Sequence, residues 1–160
     1  MAKAMNPVPK GYHTLTPGLT LDNAAETIEW YKKALGAEEV SRHPGPDGKI
    51  MHADLKIGES RFMVNDAMPG SKGPKAYGGS PVTLWLYVDN SDASFNRAVA
   101  AGAKVQMPVT DQFWGDRGGV VSDPEGYHWW IATRKEDLSP AELEQRAADF
   151  FKQMAQSASR

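Results

Sequence analysis

Residues 19–37 read LTLDNAAETIEWYKKALGA, and residues 86–103 read LYVDNSDASFNRAVAAGA. Each passes from an apolar stretch through Asp-Asn into a helical pattern and stops at Gly-Ala. The downstream segments correspond too. HADLKIGESRFMVN at 52–65 lies opposite VVSDPEGYHWWIAT at 120–133, with Gly58 and Gly126 as matching turn residues. Self-similarity over this length indicates a duplicated β-α-β-β-β unit.

The local chemistry agrees. Asp22-Asn23 and Asp89-Asn90 are good caps where a strand passes into a helix. Ile28, Tyr31 and Leu35 repeat at helical spacing, as do Phe95, Ala98 and Val99, and Gly36 and Gly102 sit where a left-handed C-cap belongs. RHPGPDGK at 42–49 reads as a hairpin turn around Asp47-Gly48, with His43 inside it. The pattern predicts an α+β fold of two βαβββ modules in a cupped mixed sheet. Module one covers about 11–65, a Gly/Pro-rich linker 66–80, and module two about 81–134. A third helix is expected over 139–156, opened by a Ser139–Glu142 capping box with Pro140 at its first position. Its apolar face of Leu143, Ala147, Phe150, Phe151 and Met154 packs either on the body or on a second copy.

The chain's 160 residues suit one domain, or two small modules sharing a core. A net charge of −2 leaves no footprint for nucleic acid or an anionic membrane. The absence of cysteine excludes disulfides and thiolate metal sites. No apolar run reaches the length of a membrane span, and the N-terminal residues carry no secretory h-region. A soluble cytoplasmic protein is expected.

Side chains alternate across a strand, so parity assigns faces. Leu15, Leu19 and Leu21 should pack inward from 13–21, leaving Thr14, Thr16, Gly18 and Thr20 opposite, with His13 at the strand mouth. Met51, Ala53, Leu55 and Ile57 should pack from 50–57, leaving His52, Asp54 and Lys56. Phe62 and Val64 leave Arg61, Met63 and Asn65; Leu84, Leu86 and Val88 leave Thr83, Trp85 and Tyr87; Trp129 and Ile131 leave His128 and Trp130. This second face mixes threonines, a few charges and large rings. Two such faces curled together make an aromatic-walled ligand cavity, unless the rings fill it as core.

Three stretches together resemble the vicinal-oxygen-chelate superfamily of glyoxalase I, bleomycin-resistance proteins and extradiol dioxygenases. They are LTLDNAAETIEWYKKALGAEEV, LYVDNSDASFNRAVAAGAKV and WGDRGGVVSDPEGYHWWIAT, and the resemblance spans roughly 11–134. Within the superfamily the PhnB-like branch is the best match, through Asp-Arg-Gly, then Asp-Pro-x-Gly, then a tryptophan strand. The resemblance implies a cup of paired modules, often completed in a homodimer, on a scaffold that hosts many chemistries. It places the superfamily's metal-ligand positions at Thr16, Met63, Thr83 and Trp130. None is His, Glu, Gln or Asp, the donors such metals need. A one-residue slip brings in Leu15, Phe62, Val82 and Trp129, or Pro17, Val64, Leu84 and Ile131. No metal and no cofactor are therefore expected.

Other constellations remain open. His52, Asp54 and His128 share the cavity face and form either a displaced metal site or polar contacts. His52 with Asp54 is also a candidate catalytic general base, if the carboxylate orients the imidazole. Asp116 and Arg117 pair with each other, or Arg117 meets a ligand anion at the rim. Phe113 and Trp114 sit on a glycine-bounded loop suited to a lid. Each aromatic pair adds about 0.5–1.5 kcal/mol beyond area burial, so a few rings give micromolar binding without a metal. The first reading is a metal-independent binder of a flat or aromatic small molecule, with drug or toxin sequestration as one use. Its contacts would be Thr16, His52, Asp54, Arg61, Met63, Thr83, Trp85, Tyr87, Trp114, Arg117, His128 and Trp130. The alternatives are a lyase, isomerase or dioxygenase with a non-standard metal site or a His-Asp base, and an interaction protein whose cavity is filled.

Overall fold

A computed structural model describes residues 5–158. The chain runs β1 (Gly18–Leu21), α1 (Ala24–Leu35), β2 (Glu38–Pro44), β3 (Ile50–Ile57) and β4 (Ser60–Asp66). A single 3-10 turn, Pro74–Tyr77, interrupts the linker. The second half repeats the order as β5 (Thr83–Tyr87), α2 (Ser91–Ala100), β6 (Lys104–Asp111), β7 (Asp116–Ser122) and β8 (His128–Arg134), followed by α3 (Pro140–Ala158). The strands form two four-stranded mixed sheets, β1-β4-β3-β2 and β5-β8-β7-β6. In each, the first strand pairs parallel with the fourth. The duplication read from sequence is thus a duplication of topology, and the α+β expectation holds.

The Asn caps act as expected. Asn23 accepts from the Glu26 amide at 3.3 Å and Asn90 from the Ala93 amide at 3.0 Å. Each helix start is also tied to the last strand of its module, by different chemistry. In module one, buried Asp66 accepts from the Ala24 and Ile50 amides, both at 2.7 Å. In module two, the Thr133 hydroxyl accepts from the Ser91 amide and donates to the Val88 carbonyl, both at 2.8 Å. Gly36 closes α1 at φ +72°.

The two modules share one core through α1, α2 and an aromatic cluster. Tyr31, Phe62 and Trp129 meet edge to face at 5.6–5.8 Å. The Asp-Pro-Glu-Gly-Tyr turn at 123–127 is the bolt between modules. Asp123 accepts from the Tyr31 hydroxyl (2.7 Å), the Trp129 indole (3.0 Å) and the amides of Glu125 and Tyr127. Glu125 accepts from the Asp22 amide and the Thr27 hydroxyl, and Tyr127 bridges to the backbone of Thr20. Burial pushes the Asp123 carboxyl up, against these hydrogen bonds, and it pushes the Tyr31 phenol well up.

Four local expectations need correction. The first strand begins at Gly18 rather than His13, and Leu15 is 86% exposed instead of packed. Pro17 has no amide to donate there, and its carbonyl already takes the Met63 amide. A register shift at His43–Pro44 places Ile50 in the core and leaves Met51 47% exposed, lying against Gly45. His43 therefore belongs to β2 and not to the turn, which closes over Gly45–Lys49. Val99 is exposed, so Phe95 and Ala98 alone make the buried apolar face of α2. The capping box of α3 forms through Ser139 and Glu142. Phe150 and Phe151 touch Phe113 at 5.1 and 6.1 Å, while Leu143, Phe150, Phe151 and Met154 stay substantially exposed.

Candidate functional site

Parallel pairing of β5 with β8 sets Trp85 directly beside Trp130 on one sheet face. Their rings lie flat on each other, with centroids 4.6 Å apart and planes within 8°. Trp114, from the β6–β7 loop, leans on both at 6.3 and 5.8 Å, and Tyr87 lies 6.2 Å from Trp85. Trp85 and Tyr87 remain 49% and 56% exposed. Module one has Gly18 beside Met63 at the corresponding register, so the ring platform belongs to module two alone.

Gly118 makes room for it, and Gly119 serves the packing next to it. A Cβ at Gly118 would lie 2.9 Å from the Trp130 indole nitrogen and 2.6 Å from the Ile131 carbonyl oxygen. A Cβ at Gly119 would meet the Met107 carbonyl and the Phe95 ring. Gly118 therefore lets Trp130 lie down on β7, while Gly119 lets α2 and β6 approach through Phe95 and Met107. The Trp130 indole N–H is buried there without a hydrogen-bond partner.

The platform is anchored on Asp116, which is 1% exposed. One carboxylate oxygen accepts from both the Tyr87 hydroxyl (2.9 Å) and the Trp114 indole (3.0 Å). The other has no hydrogen bond, and the Arg134 guanidinium lies 3.7 Å from it. Burial, then the bond to Asp116, pushes the Tyr87 phenol up, so it stays a donor at neutral pH. The expected Asp116–Arg117 pair is replaced. Arg117 is held by Asp92 (2.8 Å) and Asp111 (3.1 Å), tying α2 to the β6–β7 hairpin.

A cleft of about 810 Å³ runs along β5. It is lined by Thr83, Leu84, Trp85, Leu86 and Tyr87 of β5 and by Arg61 and Phe62 at the start of β4. A second hollow of about 540 Å³ touches Tyr87, Asp89, Thr133 and Arg134. Trp130, Trp114, Met63, His52 and His128 lie outside the cleft lining. Thr16 is also outside it, spending its hydroxyl on the His13 carbonyl.

The polar pair of module one is arranged differently from its expectation. Asp54, 2% exposed, takes the Tyr12 hydroxyl at 2.7 Å and the Arg61 guanidinium, which also sits 4.8 Å above the Tyr12 ring. His52 instead lies 6.2 Å from His43 across the β2–β3 ladder. A His-Asp dyad needs the carboxylate on the imidazole, and here it is committed elsewhere. The bond to Asp54 pushes the Tyr12 phenol up, which keeps it a protonated donor at neutral pH. Sequence reasoning misses Tyr12, because it precedes every strand signal.

The superfamily's metal positions do not fit a metal in this chain. Thr16 precedes the strand, Met63 is a weak thioether donor, and Trp130 is stacked flat on Trp85. Among the described residues no group of three or more His, Asp or Glu side chains is arranged to hold a metal ion, so His52, Asp54 and His128 do not converge.

Paired βαβββ modules with a ligand-facing sheet define a class of scaffold whose members differ mainly in what lines that face. The chain belongs to the Glyoxalase/Bleomycin resistance protein/Dioxygenase superfamily, whose model matches residues 13–131. It is 45% identical over 135 residues to an uncharacterised protein of Mycobacterium bovis, covering 81% of this chain and 89% of that one. Its fold is similar to that of TioX from Micromonospora sp. ML1, with a TM-score of 0.62 and 27% identity over 79% of this chain and 100% of that one. An Arabidopsis thaliana gene product gives a TM-score of 0.62 and 28% identity over 76% and 98%.

Proposed function

We propose that this protein is a metal-independent binder of a flat aromatic small molecule, of the bleomycin-resistance type and the PhnB-like branch. Sequestration of a toxic compound is its use. One observation carries this reading. Trp85 stacks on Trp130, Trp114 and Tyr87 lean against the pair, and the half-exposed rings of Trp85 and Tyr87 line an open cleft, anchored on a buried carboxylate. Surface rings of this size usually bury themselves, and a platform held open by its own hydrogen bonds suits a planar guest. The enzymatic alternative leans on His52 with Asp54, and the bonding of Asp54 to Tyr12 and Arg61 gives it no support.

The working form is proposed to be a homodimer. The apolar face of α3, with Leu143, Phe150, Phe151 and Met154 exposed, is a surface that a second copy would cover. Sedimentation should give twice the chain mass, and Phe151→Asp should shift it toward one chain. A wild-type monomer at micromolar concentration removes the dimer from the proposal.

The binding test is titration of tryptophan fluorescence with three-ring planar compounds, before and after chelator treatment. Quenching with a micromolar midpoint is expected in both cases, and Trp85→Leu should weaken it about tenfold. Binding that disappears on chelation defeats the metal-independent reading.

A further inference from the structure

The platform has a sign as well as a shape. Tyr87 and Trp114 both donate to one oxygen of buried Asp116. A donor bonded to an anion has its ring electrons pushed outward, which makes the π-face more negative. The cations nearby are already committed. Arg134 is shared between Asp116 and Asp137, and Arg117 between Asp92 and Asp111. Lys135 acts on Asp92 at longer range. Asp89 lines the hollow beside Tyr87. In the cleft, the Arg61 charge is taken by Asp54, and Glu59 is among the lining residues. Each of the three arginines named is held by at least one aspartate, while Asp89 and Glu59 line the hollow and the cleft without an ion pair among the described residues.

We propose that the guest of this platform is a planar aromatic cation, lying over Trp85 and Tyr87 with Asp116 supplying the counter-charge through the Tyr87 and Trp114 hydrogen bonds. This rests on the planar-ligand reading above and names the charge of the ligand. Trp and Tyr faces are the best cation acceptors among side chains, and a neutral or anionic ring gains nothing from the carboxylate behind them. An anionic ring would meet the platform's field at the wrong sign.

The test is calorimetric titration of the full-length protein with three rigid three-ring probes of nearly equal area: N-methylacridinium, phenazine and anthracene-2-carboxylate. The cation should bind about threefold to thirtyfold tighter than neutral phenazine, and the anion weakest. Raising the salt concentration should weaken the cation and leave phenazine unchanged. Asp116→Asn keeps an acceptor for Tyr87 and Trp114 and removes the charge, so it should narrow the cation–phenazine gap. Should that variant fail to fold, the wild-type order and its salt dependence decide the matter alone. Equal affinities, or an anion that binds tightest, overturn the charge assignment while leaving planar-ligand binding intact. Failure of all three probes to bind overturns the planar-ligand reading itself.

Discussion

Replacing Asp123 with alanine should unlock the joint between the modules. The substitution strips the acceptor from four donors at once: the Tyr31 hydroxyl, the Trp129 indole and the amides of Glu125 and Tyr127. An unmet buried donor costs about 1–3 kcal/mol. The turn amides can recruit water, so the low end applies, about 4 kcal/mol for the set. Part of this is returned. Burial holds the Asp123 carboxyl above its ordinary range, so the ionised group is itself a cost at neutral pH that alanine removes. The sign follows: a raised folded pKa contributes stability at low pH that is lost as pH rises through that value. The net expectation is a loss of about 3 kcal/mol, or about 10 °C in Tm for a chain of this size. Asparagine should fall between alanine and wild type, since its amide nitrogen must face two of the four donors. Urea unfolding at neutral pH, followed by tryptophan fluorescence, measures both variants. A loss below about 1 kcal/mol for alanine, within the range of an ordinary surface substitution, would refute the claim that this carboxylate holds the modules together.

Gly118→Ala should cost about 1–3 kcal/mol and tilt Trp130 off Trp85, because the new methyl meets both the indole nitrogen and the Ile131 carbonyl. Loss of the stacked-indole exciton couplet in circular dichroism, with weaker ligand quenching, is the expected signature; an unchanged couplet contradicts it. Arg42→Met should flatten the acid limb of the stability curve. Arg42, then Lys32, holds Glu39 below the usual glutamate value of 4.5. A depressed folded pKa gives stability that is present above that value and lost as pH falls through the folded one. The pair is partly exposed, so the effect is about 0.5–1 kcal/mol, read as a difference in urea midpoints between neutral and acid pH. Thr133→Val should destabilise the start of α2 by about 1 kcal/mol, since the Ser91 amide loses its acceptor, and hydrogen exchange at that amide reports it directly.

The fold is legible because duplication repeats its own punctuation. Asp-Asn before a helix and glycine after it occur twice, and a single helix pattern would be weaker evidence than the pair. Parity then sorts Trp129 inward and Trp130 outward correctly, since β8 has no bulge. It fails in β3, where the shift at His43–Pro44 moves Ile50 inward, because Pro44 reads as part of the Gly/Pro turn and not as the bulge it marks. The ring platform is readable from sequence as a set of residues, but not as a stack: alternation says which face a ring occupies, and only the Trp85–Trp130 register says that they touch. The partners of Asp54 and Asp116 are out of reach for a related reason. Tyr12 lies in a segment whose approach is set by tertiary packing, and Arg134 meets Asp116 through the β7–β8 register, which spacing along one strand does not give.

The two modules share a topology and differ in what they do with the same face. Module one consumes its buried carboxylate internally, with Asp54 closed by Tyr12 and Arg61, and its Gly18 and Met63 positions have no ring to offer. Module two uses its buried carboxylate to hold rings open: Asp116 grips Tyr87 and Trp114 by their polar tips and leaves their faces bare. A polar tip fixed by a buried acceptor orients a ring without covering it, which packing against neighbours cannot do. A coordination site asks for side chains that converge on a point, whereas a stack of indoles needs them parallel, and the same β5–β8 register cannot provide both.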